Sequence, residues 1–159
     1  MIFVTVGTSS WDFSRLIIEM DYIAGKIDEK VIMQISNTKY IPENAEYFRF
    51  TSNEEIEKLF ENSRVIVSHA GVGCIISALK HNKLNIVVPR RKQFKEHFDD
   101  HQMDIAKELE KEGILIIVEN IKDLEQKLKN IEEYSSIKQK ENKLIYELKK
   151  YIRNLNVIE

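Results

Sequence analysis

Residues 65–89 read VIVSHAGVGCIISALKHNKLNIVVP, and this stretch decides the fold. A short apolar run over 65–68 leads into a turn with two glycines, and a segment with helical periodicity follows to about residue 81. A second β-branched run covers 85–88 and is stopped by Pro89. Two such runs joined by a helix are typical of a βαβ unit with parallel strands.

The same alternation continues on both sides of this unit. Short apolar runs and helix-period segments follow one another, which predicts an α/β fold with a parallel sheet covered on both faces. We expect a single Rossmann-like, doubly wound parallel sheet, built as one domain over residues 1–159. The further strands are predicted at 2–6, 31–35, 47–50 and 114–118, and the further helices at 13–25, 53–62, 96–112 and 135–155.

Four residues carry signals for helix ends. Asp12 is predicted to cap the first helix, and Ser52 with Glu55 forms a capping box at the second. Gly113 is expected to end the helix that begins at residue 96.

The composition excludes several classes of protein. The net charge is −2, so we expect no attraction to nucleic acid. Cys74 is the single cysteine and cannot form an internal disulfide, and no apolar run approaches the roughly 20 residues of a membrane-spanning helix. The first residues lack the basic start of a signal peptide. We expect a cytoplasmic protein that reaches a membrane only through a partner.

Sheets of this kind bind ligands beyond the carboxyl ends of their strands, so the loops there are the candidate sites. After the first strand, Gly7, Thr8 and Ser9 supply a flexible turn, two hydroxyls and backbone N–H groups near a helix start. Such groups suit an anionic oxygen. An ordinary tight turn explains the same residues equally well.

The loop of residues 69–73 is the second candidate. Gly71 and Gly73 let the backbone approach a ligand closely, and the N–H groups of the following helix point to the same place, so a diphosphate fits there. His69 and Ala70 lie at this edge as well. The alternatives are a merely tight strand-to-helix turn and a structural histidine.

The third candidate is the polar segment that opens the helix over 96–112. Its ionisable side chains face a ligand more readily than a core, and only Phe98 is expected to be buried. A charged, solvated helix end is the alternative. The candidate ligand-binding residues here are Glu96, His97, Asp100, His101 and Gln102.

Two of these residues also have the spacing of metal ligands. His97 and His101 are one helical turn apart, as in zinc motifs of the type His-x-x-Glu-His. Asp100 stands where that motif has Glu, and no third ligand is evident in the sequence. We therefore predict no metal site.

The loops together carry a resemblance to a known family. The stretches that match are FVTVGTS at 3–9, VSHAGVG at 67–73, VVPR at 87–90 and EHFDDHQ at 96–102. In this order they resemble the C-terminal donor-binding domain of glycosyltransferase family 28, which is one half of the GT-B fold of MurG-like enzymes. Within that family the chain resembles the single-domain, PssE-type subunits of bacterial exopolysaccharide and capsule glycosyltransferases.

The resemblance implies a UDP-sugar as the substrate and no further cofactor. The loop at Gly71 would hold the donor diphosphate, and His69 with Arg90 or Arg91 would neutralise the charge of the departing phosphates. Residues 100–102 would meet the sugar or a phosphate of the donor. The turn at Gly7 and its neighbours would face the half that binds the acceptor.

One position departs from the family pattern. The two-domain enzymes and the eukaryotic subunit of the family carry a glutamate in the helix after the glycine loop, where it holds the uridine ribose, and this chain has Ser77 there. The resemblance then implies a weaker contact, from the Ser77 hydroxyl to the ribose. This departure bears on which nucleotide is bound more than on the fold.

The resemblance also implies a second protein. The catalytic base of two-domain relatives lies in their N-terminal half, which has no counterpart in these residues, so no catalytic residue is assigned. A membrane-anchored, PssD-like subunit would supply the base and bind a lipid-linked acceptor. The apolar stripe over 135–155 either contacts this partner or packs on the chain's own sheet.

Two other functions remain open on the sequence. Gly71 and Gly73 after one strand, with Arg90 and Arg91 after the next, also suit an NADP-binding oxidoreductase domain. A non-catalytic interaction subunit of the same fold is the other alternative, and the serine at position 77 supports it.

Overall fold

The computed structural model describes residues 1–132, and the helix predicted over 135–155 lies outside them. Strands and helices alternate along the described chain except for two consecutive strands within 31–48, and short 3₁₀ turns lie at Lys92–Phe94 and Ile121–Asp123. The strands are β1 (Ile2–Thr5), β2 (Val31–Gln34), β3 (Glu46–Phe48), β4 (Val65–Ser68), β5 (Leu84–Val87) and β6 (Ile116–Ile117). The helices are α1 (Ser14–Ala24), α2 (Asn53–Asn62), α3 (Val72–Lys80), α4 (His101–Lys111) and α5 (Leu124–Lys129).

The six strands form one parallel sheet in the order β3-β2-β1-β4-β5-β6. Thr5 pairs with Gln34 on one side and with Ser68 on the other, so the carboxyl ends of β2, β1 and β4 lie level. The strand order reverses between β1 and β4, and such a switch point opens a crevice at the carboxyl edge. The doubly wound parallel sheet predicted from the sequence is confirmed.

Helices cover both faces of the sheet. On one face α1 and α5 pack against strand residues such as Val4 and Val67. On the other face α2, α3 and α4 pack in two clusters, one that contains Phe3 and Phe60 and one that contains Val87. Because both faces are buried, the central strands β1 and β4 are nearly continuous apolar runs, whereas the edge strand β3 is largely exposed. Within residues 1–132 no helix has the length and apolar character needed to cross a bilayer.

Two of the predicted helix ends are confirmed. The Ser52 hydroxyl accepts a hydrogen bond from the Glu55 N–H at 3.3 Å and caps α2. Gly113 follows α4 with a φ of 69°, and its N–H donates to the Glu110 carbonyl at 2.9 Å. The left-handed backbone there favours glycine, which explains the residue at this position.

The prediction that Asp12 caps α1 is wrong. The residue before the helix is Phe13, and no side chain caps this end. The Asp12 carboxylate instead accepts hydrogen bonds from the Ser14 hydroxyl and the Lys39 N–H, both at 2.9 Å. It therefore joins the start of α1 to the loop after β2, a contact that local sequence does not reveal.

The helix predicted from residue 96 begins later, because α4 starts at His101. Lys95 adopts a left-handed φ of 58°, and the Glu96 side chain is buried against that of Arg15. These contacts hold residues 96–100 in bends rather than in a helical turn.

Candidate functional site

A cleft opens at the carboxyl edge of the sheet, beside the switch point between β1 and β4. Its volume is about 400 Å³, and parallel α/β sheets bind their ligands in this position. The loops after β1 and β4 and the first turns of α3 form much of its wall. Six residues that the sequence singled out line it, namely Gly7, Thr8, His69, Gly71, Gly73 and Ser77.

The structure adds residues that the sequence analysis missed. They come from the ends of β1 and β2 and from one side of α2, and they include Thr5, Gln34, Asn53, Ile56, Glu57 and Phe60. One of them had a signal in the sequence, because Gln34 is a polar residue that ends an otherwise apolar strand. The residues of α2 had no such signal in the sequence, because they line the cleft only through the packing of α2 beside α3.

The other predicted residues do not line this cleft. Some are buried in the loops around it, and others lie on the neighbouring surface. These residues are Ser9, Ala70, Arg90, Glu96, His97, Asp100, His101 and Gln102.

His69 is held between two glycines. A Cβ atom on Gly7 would stand 2.6 Å from the ring carbon Cε1 of His69, and a Cβ atom on Gly71 would collide with the ring nitrogen Nε2. Gly7 also has a φ of 69°, which other residues rarely adopt. Both glycines therefore make room for the imidazole, which fixes its position at the cleft.

Gly73 has a different role. A Cβ atom there would meet nothing within 4 Å, so this glycine faces open space in the cleft. It lies in the first turn of α3. Among the described residues, no side chain caps this turn at Gly71, and the turn itself contains no acidic residue. The N–H groups of this turn and the positive end of the helix dipole favour an anion.

Burial shifts the pKa values of two side chains beside the Gly71 loop, those of His69 and Cys74. Removal from water, and then the nearby positive charge of Arg90, lower the pKa of His69 to about 4, so the ring is neutral at neutral pH. Burial likewise raises the pKa of the Cys74 thiol to about 11. The thiol sulfur lies 3.9 Å from Nδ1 of His69 and stays protonated.

Arg90 was predicted to meet the donor, and the structure places it in the interior with 1% of its surface exposed. Its Nη1 donates to the carbonyls of Trp11, Asp12 and Glu96, and its Nη2 to that of Val6, at 3.1–3.3 Å. Burial lowers its pKa to about 10, which still leaves it charged at neutral pH. The side chain ties the loop after β1 to the loop before α4.

Glu96 and Gln102 hold the same loops together. The Glu96 carboxylate, in a residue 4% exposed, accepts two hydrogen bonds from Arg15 at 2.8 Å and one from the Arg91 N–H at 3.1 Å. The Gln102 side-chain oxygen accepts from the Arg90 N–H at 3.2 Å. These contacts explain two of the candidate residues without a ligand.

The two histidines of the third loop lie outside the cleft. His97 Nδ1 is 2.9 Å from an Asp99 carboxylate oxygen, which also accepts from the His101 N–H at 3.1 Å. The His97 ring packs near Phe98 and Trp11, with centroid distances of 4.3 and 6.4 Å. The expected burial of Phe98 is wrong, since it is 66% exposed on a segment that is not helical. Within residues 1–132 no three His, Cys, Asp or Glu side chains are placed to share a metal ion.

The remaining candidates shape the loops. The Ser9 hydroxyl accepts from the Trp11 N–H at 3.3 Å, and the Asp100 carboxylate accepts from the Lys92 N–H at 3.0 Å. Ala70 is buried with a left-handed φ of 58°, which turns the chain from β4 toward α3.

A parallel sheet in this order, with its cleft beside the switch point, defines a Rossmann-like α/β domain. The chain belongs to the glycosyltransferase family 28 C-terminal domain family, whose model matches residues 1–155. The family predicted from the three loops is therefore confirmed.

Two relatives illustrate the family. The human UDP-N-acetylglucosamine transferase subunit ALG13 is 29% identical over 123 residues, which cover 72% of this chain and 10% of that protein. The Candida albicans protein of the same name is 39% identical over 85 residues, which cover 54% of this chain and 27% of that protein. This chain thus spans less than a third of the length of either relative.

Solved structures show the same fold. The kitacinnamycin glycosyltransferase has a TM-score of 0.64 at 18% identity, with 96% of this chain and 39% of that chain covered. MurG of Acinetobacter baumannii has a TM-score of 0.57 at 16% identity, with 83% and 41% covered. The chain matches one half of a GT-B glycosyltransferase.

Proposed function

We propose that this chain is the donor-binding subunit of a two-component glycosyltransferase, which moves a sugar from a UDP-sugar to a lipid-linked acceptor. The observation that carries the proposal is the uncapped first turn of α3, which opens into the cleft at Gly73 beside the fixed ring of His69. Membership of family 28 supports it, as do relatives that are named as transferase subunits.

The first turn of α3 stabilises the leaving group. Glycosyl transfer leaves a nucleoside diphosphate whose charge grows as the glycosidic bond breaks. Free N–H groups at a helix N-terminus bind such an anion without a metal, and Gly73 leaves space for the phosphates next to them. We infer that the UDP-sugar is bound without a further cofactor.

His69 and Arg90 act in different ways in this proposal. His69 is neutral, so it orients the phosphates as a hydrogen-bonding group rather than as a cation. Arg90 has almost no exposed surface, so its charge acts through the local potential while its hydrogen bonds hold the loops in place. Among the described residues, no lysine or arginine side chain lines the cleft.

The acceptor side belongs to a second protein in this proposal. The residues that line the cleft include one carboxylate, Glu57, and it is bound by Lys80 and His81 at 2.8 Å each. Glu57 is thus already engaged, and the pKa of His69, about 4, makes its neutral ring a weak base for an acceptor hydroxyl. We infer that a membrane-anchored, PssD-like partner supplies the base and the lipid-linked acceptor, and that it holds this chain at the cytoplasmic side of a membrane. Exopolysaccharide or capsule synthesis is the setting that the PssE-type resemblance suggests.

Calorimetry with the full chain tests donor binding. We expect binding of UDP and UDP-N-acetylglucosamine and none of NADPH. Gly73→Asp places a negative charge at the phosphates, whereas Gly73→Asn has nearly the same size without the charge. The Asp variant should bind UDP at least about tenfold more weakly than the Asn variant, and both should bind uridine equally.

Other outcomes would assign another function. Binding of NADPH but not of UDP would support the oxidoreductase alternative, and binding of neither would support a non-catalytic subunit. Co-purification from the native host tests the partner, and we expect a membrane-anchored protein that restores sugar transfer when it is mixed with this chain. Transfer by this chain alone would overturn the two-component proposal.

A further inference from the structure

The cleft contains a buried side-chain amide, that of Gln34, to which the proposed function gives no role. Gln34 ends β2, lines the cleft and is 5% exposed. A buried side-chain amide has four hydrogen-bonding positions, and each one left unmatched is costly. The hydrogen-bond partners of the Gln34 amide therefore bear on what the cleft binds.

A short chain of hydrogen bonds orients this amide. The Gly7 N–H donates to the Thr5 hydroxyl oxygen at 3.1 Å. The Thr5 hydroxyl proton is then available for the Gln34 oxygen Oε1, which lies 2.6 Å away. Because Oε1 accepts from Thr5, the NH₂ group takes the opposite side of the amide. Among residues 1–132 no hydrogen bond from this NH₂ group to another residue is present, so two donors remain for a ligand in the cleft.

The position of Gln34 suits the nucleobase rather than the phosphates. Gln34 lies on β2 and the loop with Gly71 follows β4, with β1 between them. Two spacings between neighbouring strands separate the backbones of β2 and β4 by about 10 Å, which is the scale of a ribose between a diphosphate and a base. Ile56 of α2 lines the same cleft and offers an apolar surface to a planar ring.

We propose that Gln34 selects the nucleobase of the donor, with its NH₂ group donating to a carbonyl oxygen of uracil. Cytosine carries an amino group where uracil carries one of its carbonyl oxygens. This amino group and the NH₂ group of Gln34 are both hydrogen-bond donors, so they cannot pair. The inference rests on the proposed function, because it needs a nucleoside diphosphate with its phosphates at α3. It assigns a specificity-determining role to a residue from β2.

Matched variants of the full chain test this assignment. Gln34→Glu keeps the acceptor for Thr5 and replaces the NH₂ group by an oxygen, so the donor becomes an acceptor of the same shape. Gln34→Met keeps the volume and removes both functions. Gln126→Glu makes the same chemical change on the exposed face of α5, which packs near the opposite end of β1.

Affinities for UDP, CDP and UDP-N-acetylglucosamine are measured by calorimetry, with circular dichroism to verify folding. We expect the wild type and Gln126→Glu to bind UDP at least about tenfold more tightly than CDP, since one mismatched hydrogen bond has about this effect. Gln34→Met should bring the two affinities close together, and Gln34→Glu should bind CDP more tightly than UDP.

Three results would overturn the inference. An unchanged preference for UDP in both Gln34 variants would show that the amide does not contact the base. Weaker binding of UDP-N-acetylglucosamine with unchanged binding of UDP would place Gln34 at the sugar instead. If the wild type binds no nucleotide at all, the proposed function fails and the inference fails with it, so the two failures are distinguishable.

Discussion

Gly7 and His69 follow neighbouring parallel strands, and a Cβ atom on Gly7 would stand only 2.6 Å from the His69 ring. Gly71 closes the other side of the same ring. The close packing keeps the imidazole in one orientation at the cleft, so the glycines act on the ligand site through the histidine. Gly73 is the glycine that leaves space for a ligand directly.

Alanine at Gly71 and at Gly73 should shift thermal stability in opposite directions. Gly71→Ala collides with the ring of His69, although its φ of −72° suits alanine, and we expect the melting temperature to fall by several degrees. Gly73→Ala lies in a helix with space around it, so the loss of glycine should raise the melting temperature by about 2 °C. Differential scanning calorimetry measures both, and shifts of the same sign would contradict the packing described here.

The low pKa of His69 predicts a loss of stability in acid. The folded chain binds this proton only near pH 4, whereas the unfolded chain binds it near 6.5, so protons favour unfolding as the pH falls through this range. The full effect is about 3 kcal/mol. No effect of His69 is expected above about pH 7.

Urea unfolding of the wild type and of His69→Gln at several pH values isolates this effect. We expect the difference in unfolding free energy between them to shrink or reverse from pH 7 to pH 4.5, because glutamine does not titrate. Parallel pH profiles for the two proteins would show that the ring is not buried as a neutral group.

Substitution of Arg90 should be costly although its side chain meets no ligand. Lysine cannot reach the four carbonyl oxygens that the guanidinium binds, so Arg90→Lys should lower the free energy of unfolding by about 3 kcal/mol. Arg64→Lys is the control, since Arg64 pairs with Glu29 at the surface and should cost less than about 1 kcal/mol. Urea titrations give both values, and equal losses would argue against the buried role of Arg90.

Two phenylalanines, one buried and one exposed, test how tightly α2 packs on the sheet. Phe60 is 2% exposed and packs edge-on against Phe3 at 5.4 Å, so Phe60→Ala should cost about 3–5 kcal/mol. Phe98 is 66% exposed, and Phe98→Ala should cost about 0.5 kcal/mol or less. Thermal unfolding compares them, and a large loss at Phe98 would mean that the loop before α4 packs differently.

Local patterns predicted most of the elements. The apolar runs around β1, β4 and β5 were found within one residue of their ends, because strands buried on both faces must be apolar throughout. The Ser52 cap was also found, since capping depends on residues three apart. The start of α4 was missed because Glu96 is held by Arg15, which lies 81 residues away in the chain.

The candidate site was predicted only in part. Gly7, His69 and Gly71 were singled out as ligand-binding, and the structure brings them together at the cleft, where the two glycines pack against His69 itself. Arg90 was chosen for its charge, whereas burial and the carbonyl of Val6 determine where it lies. Charge and position after a strand do not distinguish a ligand-binding arginine from one that ties two loops together.

The sequence alone determined the α/β class, the parallel sheet and the family, because these depend on periodicity and on short stretches of neighbouring residues. Only the tertiary structure decided which polar side chains face the cleft. Gln34 and Glu57 reach it because β2 pairs with β1 and α2 packs beside α3, and the carbonyls that hold Arg90 come from residues up to 84 positions away. Burial and hydrogen-bond partners of this kind arise when distant segments meet, so they cannot be read from local sequence.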